Sequence, residues 1–211
     1  MWQAAAEAGV RGVVFSSTMG VYGQSARPSG PADVVAVTEE LPLQPGDVYG
    51  FSKVAGEEMC RYFGRQYAIP SVALRFGMFV PEPFFRYGIR LLYGGVDTDD
   101  VVGAVRAALA ALVEGRVAWD AFNVHSALPF GPEDGPELRS DPVAALDRHY
   151  PASAALLRDR GVEQLKPIEA FYPVRRIADR LGFRPRCNFD TWLEELRRLP
   201  DERAGSSPPW P

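Results

Sequence analysis

Lysine, histidine and cysteine are all scarce in this chain: of its 23 basic residues only Lys53 and Lys166 are lysines, and it has two histidines and two cysteines in 211 residues. Cys60 and Cys187 lie far apart without metal-ligand spacing, so the sequence argues against a Cys/His metal site and for two reduced, partly buried thiols. His125 and His149 have no partner ligands nearby and read as packed or exposed histidines. No basic run is interleaved with aromatics, and a net charge of −4 with a pI near 5.3 argues against a nucleic-acid surface. Long apolar runs are missing too. The stretch from Met1 to Val10 lacks a basic leader, so neither a membrane span nor a secretory signal is expected, and a cytoplasmic location is the default expectation. Neither G-x-G-x-x-G nor G-x-x-G-x-x-G occurs anywhere, which removes the usual glycine turn that holds a pyrophosphate at a helix N-terminus.

What is present centres on Val48-Tyr49-Gly50-Phe51-Ser52-Lys53, which reads as the start of a helix from Val48 to Tyr67. Residues four apart lie one above the other, so the Tyr49 phenol and the Lys53 ammonium point to one side. An ammonium next to a phenol favours the phenolate and fits the phenol for acid–base work. Eight Tyr and two Lys give on the order of 0.1 chance Tyr-x-x-x-Lys matches. In a chain so dominated by arginine, a lysine here marks a place where a compact ammonium does what a planar guanidinium cannot.

Upstream, Gly12-Val13-Val14-Phe15-Ser16-Ser17-Thr18-Met19-Gly20-Val21-Tyr22-Gly23 is a short apolar run breaking into hydroxyls and glycines, as a buried parallel strand does at its carboxyl end. Ligands of open α/β sheets bind there. Together with Leu74-Arg75-Phe76-Gly77 after the helix, the segment resembles the extended short-chain dehydrogenase/reductase family, the NAD-dependent epimerase/dehydratases, over roughly residues 1 to 125. The resemblance implies an α/β fold, an incomplete Rossmann-like doubly wound parallel sheet, truncated at its N-terminus. Residues 1–125 would be the C-terminal part of an NAD(P)-binding domain, 126–199 a small, mainly helical substrate-side region, and 200–211 a disordered tail.

By the same resemblance Tyr49 is the proton acid/base at a carbinol or carbonyl oxygen, and Lys53 tunes it and bonds the nicotinamide ribose of NAD or NADP. Thr18, four residues before Tyr22, supplies a hydroxyl to the reacting oxygen, with Ser17 as the fallback. Phe76 lies near the nicotinamide ring, and Arg75 is a candidate clamp for an anionic substrate group. Where many members carry an asparagine this chain has Met78, which removes a polar substrate contact. Only 16 residues separate Phe79 from Val96, too few for the insertion with which relatives hold a nucleotide, so a compact sugar acid is the expected substrate class. Dimers of the family pair the Tyr/Lys helix, so a homodimer is among the expected partners. The alternative is a non-catalytic member serving as a binding or interaction protein.

The remaining elements follow from periodicity and caps. Gln24 to Asp47 reads as a long surface loop, and Ser71–Phe76 and Ala121–His125 as strands. Thr98 reads as the N-cap of a helix whose first turn carries Asp99 and Asp100. Val143 to His149, Ala152 to Arg160, Val174 to Leu181 and Thr191 to Leu199, the last capped by Asp190, read as short helices. Within the Tyr/Lys helix, Phe51, Met59, Tyr62 and Phe63 read as core.

Overall fold

The computed structural model describes residues 2–199, so the expected tail from residue 200 lies outside it. A three-stranded parallel sheet carries the fold in the order β1 (Val13–Thr18), β3 (Ser71–Phe76), β4 (Trp119–Val124), with Ser17 opposite Arg75 and Arg75 opposite Asn123. Among the described residues β1 has a neighbour on one side only. A short helix α1 (Trp2–Glu7) precedes β1, and α2 (Val48–Tyr67) and α4 (Thr98–Val113) make the crossovers.

Alternation along the strands divides two cores. Val13 and Phe15 of β1 pack with Cys60 and Phe63 of α2, with Ile69 and with Trp2, while Val72, Leu74 and Phe76 of β3 join Phe122 and Val124 of β4 against Ala104, Ala108 and Leu112 of α4. All six residues of β3 are buried, as in a strand covered on both faces, with the polar Ser71 and Arg75 among them.

The remaining helices share a separate core. α3 (Phe84–Leu91), α5 (Gly135–Ser140), α6 (Pro142–His149), α7 (Ser153–Asp159) and α9 (Phe189–Arg198) bury Ile89, Leu138, Leu146, Leu157, Phe189 and Trp192 together. α8 (Arg175–Leu181) instead packs Ile177 and Leu181 into the core under α4. A two-residue strand β2 (Val35–Ala36) pairs in parallel with β5 (Ala170–Phe171), tying the segment after β1 to the helical part.

Several expectations change. The Gln24–Asp47 segment is not loop throughout, because β2 and a 3-10 turn at Gly23–Ala26 interrupt it. α3 fills the interval before Val96, for which the sequence reading named no element. Asp97, not Thr98, caps α4, accepting from the Asp99 N–H at 2.7 Å. Asn188 precedes α9, its N–H bonded to Thr191 Oγ1 at 2.8 Å, so Asp190 sits in the first turn. β4 begins at Trp119, and His125 follows it. Most consequentially, Phe51, Met59 and Tyr62 are 64%, 41% and 45% exposed, whereas Phe63 and Cys60 are buried. Helical spacing identifies a stripe but cannot say whether this chain or another covers it.

Candidate active site

α2 starts at Asp47, whose side chain accepts from the Gly50 N–H at 2.6 Å. Gly50 is required by close approach: a Cβ there would lie 2.6 Å from the Gly20 carbonyl and 3.0 Å from Pro45. The first turn of α2 therefore presses on the turn that follows β1. In that turn Thr18 Oγ1 accepts from the Gly20 N–H at 3.2 Å, leaving the hydroxyl proton able to donate elsewhere. Thr18 and Tyr49 are thus brought to one end of the sheet through Gly20 and Gly50.

Tyr49 is 58% exposed on that first turn. One turn on, Lys53 Nζ donates to the Ser16 carbonyl at 2.9 Å and lies 5.5 Å from the centroids of both the Tyr49 and Phe15 rings. The ammonium is held between strand and phenol, the adjacency expected of a pair that shares acid–base work.

Beneath this pair the polar residues are saturated internally. Glu57, a further turn along α2 and fully buried, accepts from Ser17 Oγ at 2.6 Å and from Arg75 Nε and Nη2 at 3.0 and 2.8 Å. Arg75 Nη1 donates to the Tyr22 hydroxyl at 2.9 Å, and that hydroxyl donates to Asn123 Oδ1 at 2.7 Å. Asn123 Nδ2 donates to the Val37 carbonyl, and its backbone N–H to Glu39 Oε1. Burial pushes the Tyr22 phenol up to about 12 although Arg75 pulls it down, which keeps Tyr22 protonated. All three Arg75 guanidinium nitrogens bond inside the protein and the side chain is 2% exposed, the arrangement of a structural pair and not of an external anion clamp. Ser17, 3% exposed and bonded to Glu57, is likewise turned inward, whereas Thr18 is only partly buried. Glu57, Tyr22 and Asn123 were not singled out from sequence; for Glu57 the signal was its place four residues beyond Lys53 on the same face.

Phe76 ends β3, 6% exposed and edge-on to Phe79 at 5.7 Å. His125 stacks on Tyr172 with ring centroids 4.1 Å apart, its Nδ1 3.0 Å from the Gly94 carbonyl. Met78, 53% exposed, offers no polar group where its backbone bridges to Gly95. Both cysteines are free, with burial pushing their thiols up to about 12 for Cys60 and about 11 for Cys187. A cavity of about 580 Å³ lined by Arg61, Ile69, Val117 and Trp119 lies at the amino ends of β3 and β4, the opposite end of the strands from Tyr49.

Comparison with known proteins gives a family likeness. The model of the NAD dependent epimerase/dehydratase family matches residues 1–81. The likeness to this family is carried by those residues. Uronate dehydrogenase of Pseudomonas putida is 29% identical over 170 residues, 74% of this chain and 57% of that protein. The likeness therefore runs further than the 125 or so residues expected. Uronate dehydrogenase of Agrobacterium fabrum is 31% identical over 125 residues, 57% of this chain and 43% of its own, and UDP-glucose 4-epimerase of Corynebacterium glutamicum 39% over 70 residues, 33% and 16%.

Among solved structures, a mutated uronate dehydrogenase superposes with a TM-score of 0.58 at 20% identity, covering 99% of this chain and 55% of that one. A short-chain dehydrogenase/reductase superfamily protein from Agrobacterium tumefaciens with bound NAD reaches 0.61 at 22%, covering 93% and 70%. These likenesses show the fold: α/β, Rossmann-like, with a parallel sheet. The chain spans about half the length of the uronate dehydrogenases it matches. Among the described residues no helix is long and apolar enough to cross a membrane.

Proposed function

We propose that this chain carries the proton-transfer side of an NAD(P)-dependent oxidoreductase or epimerase acting on a hydroxyl or carbonyl of a sugar or sugar acid. The observation that carries the reading is the Lys53 ammonium tied to the Ser16 carbonyl and 5.5 Å from the exposed Tyr49 ring, beside the Thr18 turn. In this reading Tyr49 gives or takes the proton at the reacting oxygen, Thr18 orients that oxygen with its free hydroxyl proton, and Lys53 holds its ammonium beside the phenol. Residues 1–125 form the cofactor side and 126–199 the substrate side.

The residues present fit one end of a dinucleotide. Lys53 would hold the nicotinamide ribose and Phe76 would lie near the ring; nothing in the sequence offers the glycine turn for the pyrophosphate. When bound, the cofactor supplies or accepts the hydride, which no side chain can carry. The uronate dehydrogenases among the relatives and the short interval before α4 favour a compact sugar acid over a nucleotide sugar, in a cytoplasmic protein.

The test is Tyr49→Phe in a protein carrying these residues behind a glycine-rich strand–turn–helix. Turnover of a uronate with NAD or NADP should fall by roughly 10² or more in kcat while cofactor binding is unchanged. Unchanged turnover removes Tyr49 from the mechanism. A parent protein that turns over neither sugar acids nor nucleotide sugars favours the non-catalytic, interaction-protein reading.

The same reading includes a homodimer through α2. Val48, Phe51, Met59 and Tyr62 lie along one stripe of the helix and are 84%, 64%, 41% and 45% exposed, an apolar row of the kind two helices bury against each other. Met59→Lys should convert a dimer to a monomer in sedimentation equilibrium. A parent chain that is already monomeric at all accessible concentrations sinks the dimer.

A further inference from the structure

Tyr49, Lys53 and Glu57 occupy successive i, i+4 positions of α2, and the two lower members grip consecutive residues of β1. Lys53 Nζ bonds the Ser16 carbonyl at 2.9 Å, and Glu57 Oε1 accepts from Ser17 Oγ at 2.6 Å. The next residue of the strand is Thr18. Glu57 is 0% exposed and is also bound through both oxygens by Arg75 of β3, at 3.0 and 2.8 Å, so one carboxylate joins the helix to two strands. Bidentate pairs of this kind fix direction as well as distance. Between the two grips Gly56 faces the Phe15 ring, where a Cβ would lie 2.2 Å from the ring carbon Cζ. The helix therefore lies close against β1 here, with no side chain of its own between them.

We propose that Glu57 is a positioning residue for the proton-transfer pair: by holding Ser17 and Arg75 it sets the register of α2 on β1 and so places Lys53 against the Ser16 carbonyl and under Tyr49. Glu57 touches no reacting group. It acts through the helix, whose next two turns toward the N-terminus carry Lys53 and Tyr49. Replacing the carboxylate by an amide puts an N–H where Arg75 presents N–H groups, which breaks the fork and leaves a buried guanidinium seeking another acceptor. The other hold on Lys53 is the pair of ring faces of Phe15 and Tyr49, each 5.5 Å from Nζ. If those rings and Ser16 suffice, Glu57 has no positioning role.

The chain has an internal control, because Lys53 and Lys166 are its only lysines, and Lys166 is exposed. Limited acetylation of the intact chain, quantified by mass spectrometry, measures the Lys53 to Lys166 labelling ratio. In Glu57→Gln that ratio should rise about fivefold or more, the order expected when a hydrogen bond to a charged group is weakened. Lys166, exposed from the start, corrects for reagent and time, and general loosening is read from alkylation of the buried Cys60 thiol; a rise at Lys53 matched by a rise at Cys60 overturns the proposal. Ser17→Ala keeps the Glu57–Arg75 pair and loses only one bond, so a smaller rise of about twofold is expected, and it decides the matter if Glu57→Gln does not fold. An unchanged ratio in the folded variant overturns the proposal.

The consequence for chemistry rests on Tyr49 and Lys53 being the proton-transfer pair, but labelling reads geometry without turnover. Unchanged labelling removes Glu57 and leaves that reading standing. Undiminished turnover in Tyr49→Phe removes the reading and leaves the geometry standing.

Discussion

Asn123 and His125 stand two residues apart at the end of one strand, both essentially excluded from water, and their polar atoms meet opposite fates. Asn123 has its amide oxygen bonded to Tyr22, its amide nitrogen to Val37 and its backbone N–H to Glu39. Through Tyr22 it belongs to a network that contains the full charge of Arg75 and Glu57. His125 has one nitrogen on the Gly94 carbonyl, while its Nε2 has no hydrogen-bond partner among the described residues. The first cluster buries charge by saturating it; the second buries a titratable group by keeping it neutral. Interiors accept both solutions, but they fail under different perturbations.

The saturated cluster breaks most severely when one partner is removed. Arg75→Met keeps much of the volume but leaves Glu57 buried without its cation. Such a change costs about 3–5 kcal/mol, because the desolvated carboxylate loses the interaction that offset its burial. Denaturant unfolding of Arg75→Met should show that loss, and the double variant Arg75→Met/Glu57→Met should lose less than Arg75→Met alone, since it buries no charge at all. A double variant as unstable as the sum of the singles would mean that the two residues do not act as a pair.

That network also marks where reading the sequence stops. The bounds of α2 and β3 agree with the sequence reading, because helical spacing from Val48 to Tyr67 and a short run at Ser71–Phe76 are local signals. The Tyr/Lys pair was legible because it is one turn of one helix. Arg75, Tyr22, Asn123 and Glu39 come together from sequence separations of up to 101 residues, and no spacing rule announces such a meeting. Arg75 therefore read as a clamp for something outside, when its partner sits on α2. Met59 and Tyr62 read as core for a related reason: periodicity locates a face, and only tertiary structure says what lies across from it. α3 was missed because Pro81, Glu82 and Pro83 open the interval with loop signals, while Ile89 and Leu91 are buried in a core built with helices distant in sequence.

The neutral cluster should fail more gently, and only on the acid side. Burial pushes the His125 imidazole down to about 4, with the Gly94 carbonyl and the Arg75 backbone pulling the other way without offsetting it. An unfolded chain takes up that proton near 6.5, so below that pH the unfolded state binds a proton that the folded state refuses. Stability from His125 is therefore complete above about 6.5, is lost as pH falls, and stops changing below about 4. Over that window the loss amounts to about 3 kcal/mol. His125→Gln removes the titration while retaining a hydrogen-bond donor for the Gly94 carbonyl. It should be less stable than the parent at pH 7, having lost the stacked contact with Tyr172, yet its unfolding free energy should fall less steeply between pH 6.5 and 4. Carboxylates common to both proteins contribute equally to the two slopes and cancel in the comparison. Parallel pH profiles for the parent and His125→Gln would show that His125 takes up its proton as readily folded as unfolded, and the contrast with Asn123 would then lie in geometry alone.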